Sequence, residues 1–112
     1  MNPRDNLGEF EQLVLLAVFR LKDDAYGMRV RQEIETRISR PTSIGAVYAT
    51  LDRLESKGLV RSEVGESTRA RGGRPKKMFA ITAVGADCLR RSLESLAKMR
   101  HGLNMGDLEW LT

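Results

Sequence analysis

Apolar residues recur along this chain first with a helical period and then, past its middle, with a period of two. Residues 6–22 read as a helix, in which Asn6 and Glu9 have the spacing of a capping box. The run Leu13-Val-Leu-Leu-Ala-Val-Phe19 is apolar around nearly the whole circumference, so that helix must be buried on more than one side. A small domain covers one side; a second subunit is the natural cover for the other. Lys22–Asp24 is a polar turn, and Asp24 is placed to cap a second helix over 25–39, where Tyr26, Val30, Ile34 and Ile38 share a face. Residues 39–43 break the chain. Ser43 then caps a third helix over 44–57, with Val47, Leu51 and Leu54 turned inward and Gly58 as the stop.

After Gly58 the alternation changes. Leu59, Val60, Ser62 and Val64 suit a short strand and Met78–Ile81 suits its partner, with a connection too long for a tight turn. Two helices joined by a short break and followed at once by two strands predict a winged helix-turn-helix. Thr82 caps a fourth helix reaching about His101. Its Ala86, Leu89, Leu93, Leu96 and Leu103 follow 3–4 spacing, the seam of a coiled coil, while Asp87–Arg91 and Glu94–Lys98 are i,i+4 pairs. The expected fold is mainly α with a small β-hairpin wing: a winged helix-turn-helix over 1–81, a dimerisation helix over 82–103 and a tail over 104–112. Leu13, Leu16 and Phe19 of the first helix, with Leu89, Leu93, Leu96 and Leu103 of the last, form the expected subunit contact. The competing reading is a seam packed back on its own domain. In the tail, Leu108, Trp110 and Leu111 would make a sticky patch if left in water, so packing is expected of them.

With 112 residues the chain is expected to form a single domain. No apolar run approaches the ~18 residues a membrane span needs, and the first residues lack the layout of a signal peptide. The single cysteine, Cys88, has no internal disulfide partner and fits beside the seam as a small apolar residue. A cytoplasmic protein is expected.

Charge sharpens the picture. Residues 65–77 contain Arg69, Arg71, Arg74, Lys76 and Lys77 against one acid, Glu66, and sum to +4, which is the net charge of the entire chain. Cations concentrated on one Gly-rich loop suit a phosphate backbone, since guanidinium forks pair with phosphate oxygens and release condensed counterions. A solvated loop without a partner is the plainer reading. Other chemistry finds little support. Gly72 and Gly73 lack the Gly-Lys-Ser/Thr of a phosphate-binding loop, and neither Cys88 nor any serine has a base beside it in sequence. Cys88 and His101 are too few soft ligands for a structural zinc site, so neither catalysis, a metal nor a cofactor is expected.

The residues together resemble the PadR family of transcriptional regulators. Leu7-Gly-Glu-Phe-Glu11 opens in the family's manner, and Ala25-Tyr-Gly27 is similar to its start of the second helix. Val47-Tyr-Ala-Thr-Leu-Asp-Arg-Leu-Glu-Ser-Lys-Gly-Leu-Val60 and Gly73-Arg-Pro-Lys-Lys-Met-Phe-Ala-Ile-Thr82 resemble the third-helix and wing signatures. The likeness covers about 7–103 and is to the smaller subfamily with one C-terminal dimerisation helix. It implies a homodimeric, sequence-specific repressor whose third helix enters the major groove of a roughly palindromic operator, and it leaves open an unidentified small-molecule effector. Candidate DNA contacts on the helix-turn-helix are Thr42, Ser43, Gly45, Ala46, Tyr48, Ala49, Thr50, Arg53 and Lys57. The resemblance would set the Tyr48 hydroxyl on a phosphate, while a half-buried aromatic is the alternative; for Ser43 capping is an equal reading. Two departures stand out: many relatives carry Thr where this chain has Ala46, and Leu96 occupies the position of a drug-stacking Trp found in some of them. A protein-interaction module built on the same fold, with the apolar tail as its docking element, is the rival function.

Overall fold

The computed structural model describes residues 7–65 and 75–112. Helices α1 (Glu9–Leu21), α2 (Gly27–Ile38) and α3 (Ile44–Ser56) lead into an antiparallel hairpin, β1 (Val60–Val64) and β2 (Lys77–Ile81), followed by α4 (Ala83–Arg100) and a short α5 (Asp107–Leu111). A 3₁₀ turn at Lys22–Asp24 joins α1 to α2. The order is that of a winged helix-turn-helix with a C-terminal helical arm, as the pattern predicts.

The core lies where α1, α2, α3 and the hairpin meet. Val14, Leu15 and Val18 of α1, Val30 and Ile34 of α2, and Val47, Leu51 and Leu54 of α3 are buried there with Leu59, Val60 and Phe79. The spacing in each helix is i, i+3 or i+4, so one stripe turns inward and the rest faces water. β1 and β2 pair in the register Val60↔Ile81, Ser62↔Phe79 and Val64↔Lys77. On its other edge β2 meets the start of α2: Tyr26 bridges Met78, and the Phe79 N–H donates to the Ala25 carbonyl at 2.8 Å. Those bonds fix the wing to the helix-turn-helix.

Gly58, at φ +78°, ends α3 in the left-handed region that favours glycine. Thr82 does two things at the far end of the hairpin. Its Oγ1 donates to the Gly58 carbonyl at 2.7 Å and accepts the Gly85 N–H at 3.0 Å, while its own N–H donates to the Leu59 carbonyl at 3.0 Å. One threonine therefore caps α4 and closes the base of the wing.

Several sequence expectations are corrected. Asn6 lies outside the described residues; the cap of α1 is Gly8, whose N–H donates to Glu11 Oε1 at 3.0 Å. Glu9, two residues too early for that role, pairs with Arg40 at 2.6 Å. Asp24 does not cap α2, because the 3₁₀ turn consumes it and Tyr26 stands at the cap. Leu89 is 5% exposed and belongs to the core of its own protomer, since α4 still lies against the domain at that point. Glu94 pairs with Arg90 at 2.8 Å, one turn behind it, in place of the expected Lys98 partner. In the single chain Leu108, Trp110 and Leu111 of the tail are 53%, 89% and 83% exposed, so they do not pack on their own protomer.

A Cβ on Gly85 would sit 2.0 Å from the Leu59 carbonyl oxygen, a backbone atom that cannot swing aside. Gly85→Ala should therefore push α4 off the wing and destabilise the fold by about 1–3 kcal/mol, as overpacking does. Urea denaturation of the variant checks this, and an unchanged midpoint would show that the junction is slack.

Candidate nucleic-acid interface

The link between α2 and α3 is short and heavily hydrogen-bonded. Ser39 takes the left-handed conformation at φ +53° and ends α2. The Thr42 N–H then donates to Glu35 Oε1 at 3.1 Å, and its hydroxyl donates to the Arg40 carbonyl at 2.9 Å. Ser43 accepts the Ala46 N–H at 3.1 Å and caps α3. Thr42 and Ser43, both candidates for contacting DNA, thus have hydroxyls committed to holding the turn.

Helix α3 divides cleanly. Val47, Thr50, Leu51 and Leu54 are buried, whereas Gly45, Ala46, Tyr48, Ala49, Asp52 and Arg53 are exposed. Thr50 is corrected by this division. It stands three residues after Val47 and four before Leu54, so helical periodicity carries it inward, where it is 2% exposed and accepts a hydrogen bond from Arg53 Nη2 at 3.1 Å. The outer face is low, since Gly45, Ala46 and Ala49 carry almost no side chain. Asp52, four residues after Tyr48, shares that face; its helical spacing from Tyr48 was the signal that would have found it.

Tyr48 is 45% exposed, and one side of its ring lies over Gly27. A Cβ at Gly27 would come within 2.4 Å of the ring. The bare glycine lets the first turn of α2 and the second helix of the motif approach closely, which sets the angle between them. The ring therefore packs against the start of α2 while the residue still reaches the surface.

Lys57 does not stand free. Its Nζ lies 2.8 Å from Glu11 Oε2, and Arg53 Nε lies 4.0 Å from the same oxygen. Glu11 is buried, so the C-terminal end of α3 is fastened to the first turn of α1 through a partly desolvated ion pair. Burial opposes ionisation of the Glu11 carboxyl. The Lys57 hydrogen bond, the Gly8 N–H and the charges of Lys57 and Arg53 outweigh it and hold the pKa below the usual glutamate value.

The wing brings further cations near this face. Lys77 Nζ lies 3.6 Å from Glu55 of α3, and the Ser62 hydroxyl donates to the other Glu55 oxygen. The Ser62 hydrogen bond foremost, with the Lys77 charge, keeps that carboxyl below its ordinary pKa. Lys76 Nζ sits 4.0 Å over the Tyr26 ring, beside the strand. The Gly65 N–H donates to the Lys76 carbonyl at 2.8 Å, extending the ladder by one step. Arg69, Arg71 and Arg74 lie outside the described residues.

A helix-turn-helix whose second helix keeps a low outer face, tied directly to a two-stranded hairpin, defines a winged-helix DNA-binding regulator. The profile of the transcriptional regulator PadR-like family matches residues 15–91, and the chain belongs to that family, whose members are regulators of transcription and not enzymes. A PadR-like transcription factor from Bacteroides fragilis is 25% identical, superposes with a TM-score of 0.71, and aligns over 85% of this chain and 86% of its own. A PadR family regulator from Clostridium difficile, at 24% identity and TM-score 0.65 over 81% of this chain and 91% of the other, shares the fold. So does part of the Aeropyrum pernix ORC1 protein in complex with DNA, at 19% identity and TM-score 0.61, over 77% of this chain and 24% of that one. No curated protein is significantly similar in sequence. Among the described residues no helix is long and apolar enough to cross a membrane.

Two measurements test the site. Gly27→Ala should destabilise the protein on its own but far less in a Tyr48→Ala background, a non-additivity that a double-mutant cycle reads directly. Additive costs would mean that the ring does not limit the approach of the helices. The second concerns pH. The folded pKa of Glu11 lies below the unfolded value of about 4.3, so its stabilisation is complete above that pH and disappears as pH falls through the folded value. Glu11→Gln should flatten the acid side of the stability profile measured by urea titration, and an unaltered profile would contradict the assignment.

Proposed function

We propose that the chain acts as a homodimer that binds a roughly palindromic operator and represses transcription there. The observation that carries this reading is the exposed face of α3 beside the base of a hairpin whose connection, together with Lys77 at the start of β2, holds the net charge of the chain. Gly45, Ala46 and Ala49 let the backbone of α3 come close to the floor of the major groove, where methyl groups meet thymine methyls. Tyr48 and Arg53 flank that surface, and Asp52 offers a carboxylate suited to a cytosine amino group. With so few polar groups on α3, part of the preference falls to DNA shape and deformability. Arg69, Arg71, Arg74, Lys76 and Lys77 supply phosphate contacts, which position the protein and carry affinity but not sequence. Lys57 acts through Glu11 as the anchor of α3 and is not assigned a DNA contact.

Two copies give two α3 helices about 34 Å apart, one turn of the duplex, which is why the operator is expected to be symmetric. The pairing rests on α1 and α4. Phe19, Leu93, Leu96 and Leu103 are 60%, 39%, 59% and 66% exposed in the single chain, with Leu13 and Leu16 half-buried beside them. Leu89 drops out of that contact. Repression follows from occupancy: a dimer seated across an operator excludes other proteins from the same duplex.

Selection of duplexes from a random pool by the purified protein should return a symmetric site, and anisotropy titrations should show steep salt dependence. Arg74→Ala should weaken binding to all sequences alike and lower the slope of log K against log salt by about 2 per dimer, one for each lost phosphate contact. A change in the preferred sequence would instead make Arg74 a base-reading residue and overturn its role.

A further inference from the structure

From Leu93 onward the chain stands away from its own domain. Beyond Leu89 no apolar residue is buried, and from Leu93 to Thr112 every residue is exposed. At its end α5 presents Leu108, Trp110 and Leu111 together with two acids, Asp107 and Glu109. An open groove of about 670 Å³ runs between α1 and α2. Its floor is apolar, from Leu13, Leu16, Phe19, Ile34 and Ile38. Its rim is cationic: Arg20, Lys22 and Arg37 face a single carboxylate, Glu33, which lies 3.3 Å from Arg20 and 2.9 Å from Arg37.

We propose that this groove receives α5 of a second copy of the chain, so that two protomers exchange their C-terminal arms. The argument rests on complementarity of two kinds. The groove is an apolar slot with excess positive charge, and α5 is a short apolar helix with excess negative charge; an amphipathic helix laid in such a groove buries its apolar face and leaves its charges at the rim. Trp110 is the anchor, because a large aromatic in a desolvated slot carries a disproportionate share of association energy. Ile38, which the periodicity of α2 placed with the core residues and which the single chain leaves 47% exposed, gains a partner in this arrangement. The inference extends the homodimer reading and rests on it: Leu93, Leu96 and Leu103 bring the subunits together, and α5 fastens them on Leu13, Leu16 and Phe19 of α1.

Trp110 is the only tryptophan, so its emission reports on the tail alone. Sedimentation velocity and fluorescence are measured on the full chain across one concentration series. The expected result is a dimer whose tryptophan emission shifts to the blue, and resists acrylamide quenching, as the dimer forms. Ile38→Glu, at an exposed position, should keep the helical circular dichroism of the fold yet return Trp110 to the emission of a solvated indole. Trp110→Ala should raise the dimer dissociation constant about 10-fold or more. Reversing the rim with Lys22→Glu and Arg37→Glu should weaken the dimer, and Asp107→Lys with Glu109→Lys in the same chain should restore it. A dimer in which Trp110 stays solvated would overturn the docking while leaving the homodimer standing, with α4 or another molecule covering the groove. A blue shift that does not depend on concentration would place the tail on its own domain and also refute the exchange. A monomer at every concentration would remove the homodimer and the docking together.

Discussion

The hydrogen bonds around Thr82 decide where everything downstream points. Four chain segments meet there: the end of α3 through the Gly58 carbonyl, the entry to β1 through Leu59, the exit from β2, and the first turn of α4 through Gly85. None of these bonds is individually large, since a net hydrogen bond contributes about 0.5–1.5 kcal/mol. Their effect is geometric. They hold the two ends of the hairpin together, so the long basic connection leaves from a fixed base, and they aim α4 away from the domain. The absence of a side chain at Gly85 is what permits α4 to lie on the Leu59 backbone.

The cations fall into two groups with different work. Lys57, Arg40, Arg20 and Arg37 are held in ion pairs with Glu11, Glu9 and Glu33, where they join helices or sit along the α1–α2 groove. Most of these pairs are open to water and contribute little individually. The pair at Glu11 differs, because its carboxylate is buried and has backbone as well as side-chain partners. The wing cations form the second group. Lys76 and Lys77 lie at the rim of the hairpin, over Tyr26 and beside Glu55, and lead into the basic run of the sequence.

Much of this was legible from the chain alone, for identifiable reasons. The stripes Val47-Leu51-Leu54 and Val30-Ile34, the stop at Gly58 and the caps Ser43 and Thr82 are local signals, and local physics produced them as read. The strands were also legible from alternation, and the motifs at 25–27, 47–60 and 73–82 behind the resemblance to PadR regulators lie within the matched residues 15–91, while Leu7–Glu11 precedes them. What could not be read depended on three-dimensional placement. Glu9 and Glu11 are equally plausible capping acids in sequence, and only the start of α1 at Glu9 gives the cap to Glu11. Lys57 looks like a free cation until α1 brings a carboxylate beside it from 46 residues away. Thr50 was misplaced by its chemistry, a hydroxyl on a recognition helix, although its spacing from Val47 already assigned it to the inner face. Leu89 and Leu93 carry the same seam spacing, and the sequence does not say where the domain ends beneath them.

Glu11 and the apolar surface of α1 share one helix of 13 residues. The exposed apolar side of α1 and the carboxylate that anchors α3 are therefore parts of one rigid rod. Any small rotation of α1 is passed straight to the C-terminal end of α3 through the Glu11–Lys57 pair. A mechanical lever of this kind ties the stance of α1 to that of α3.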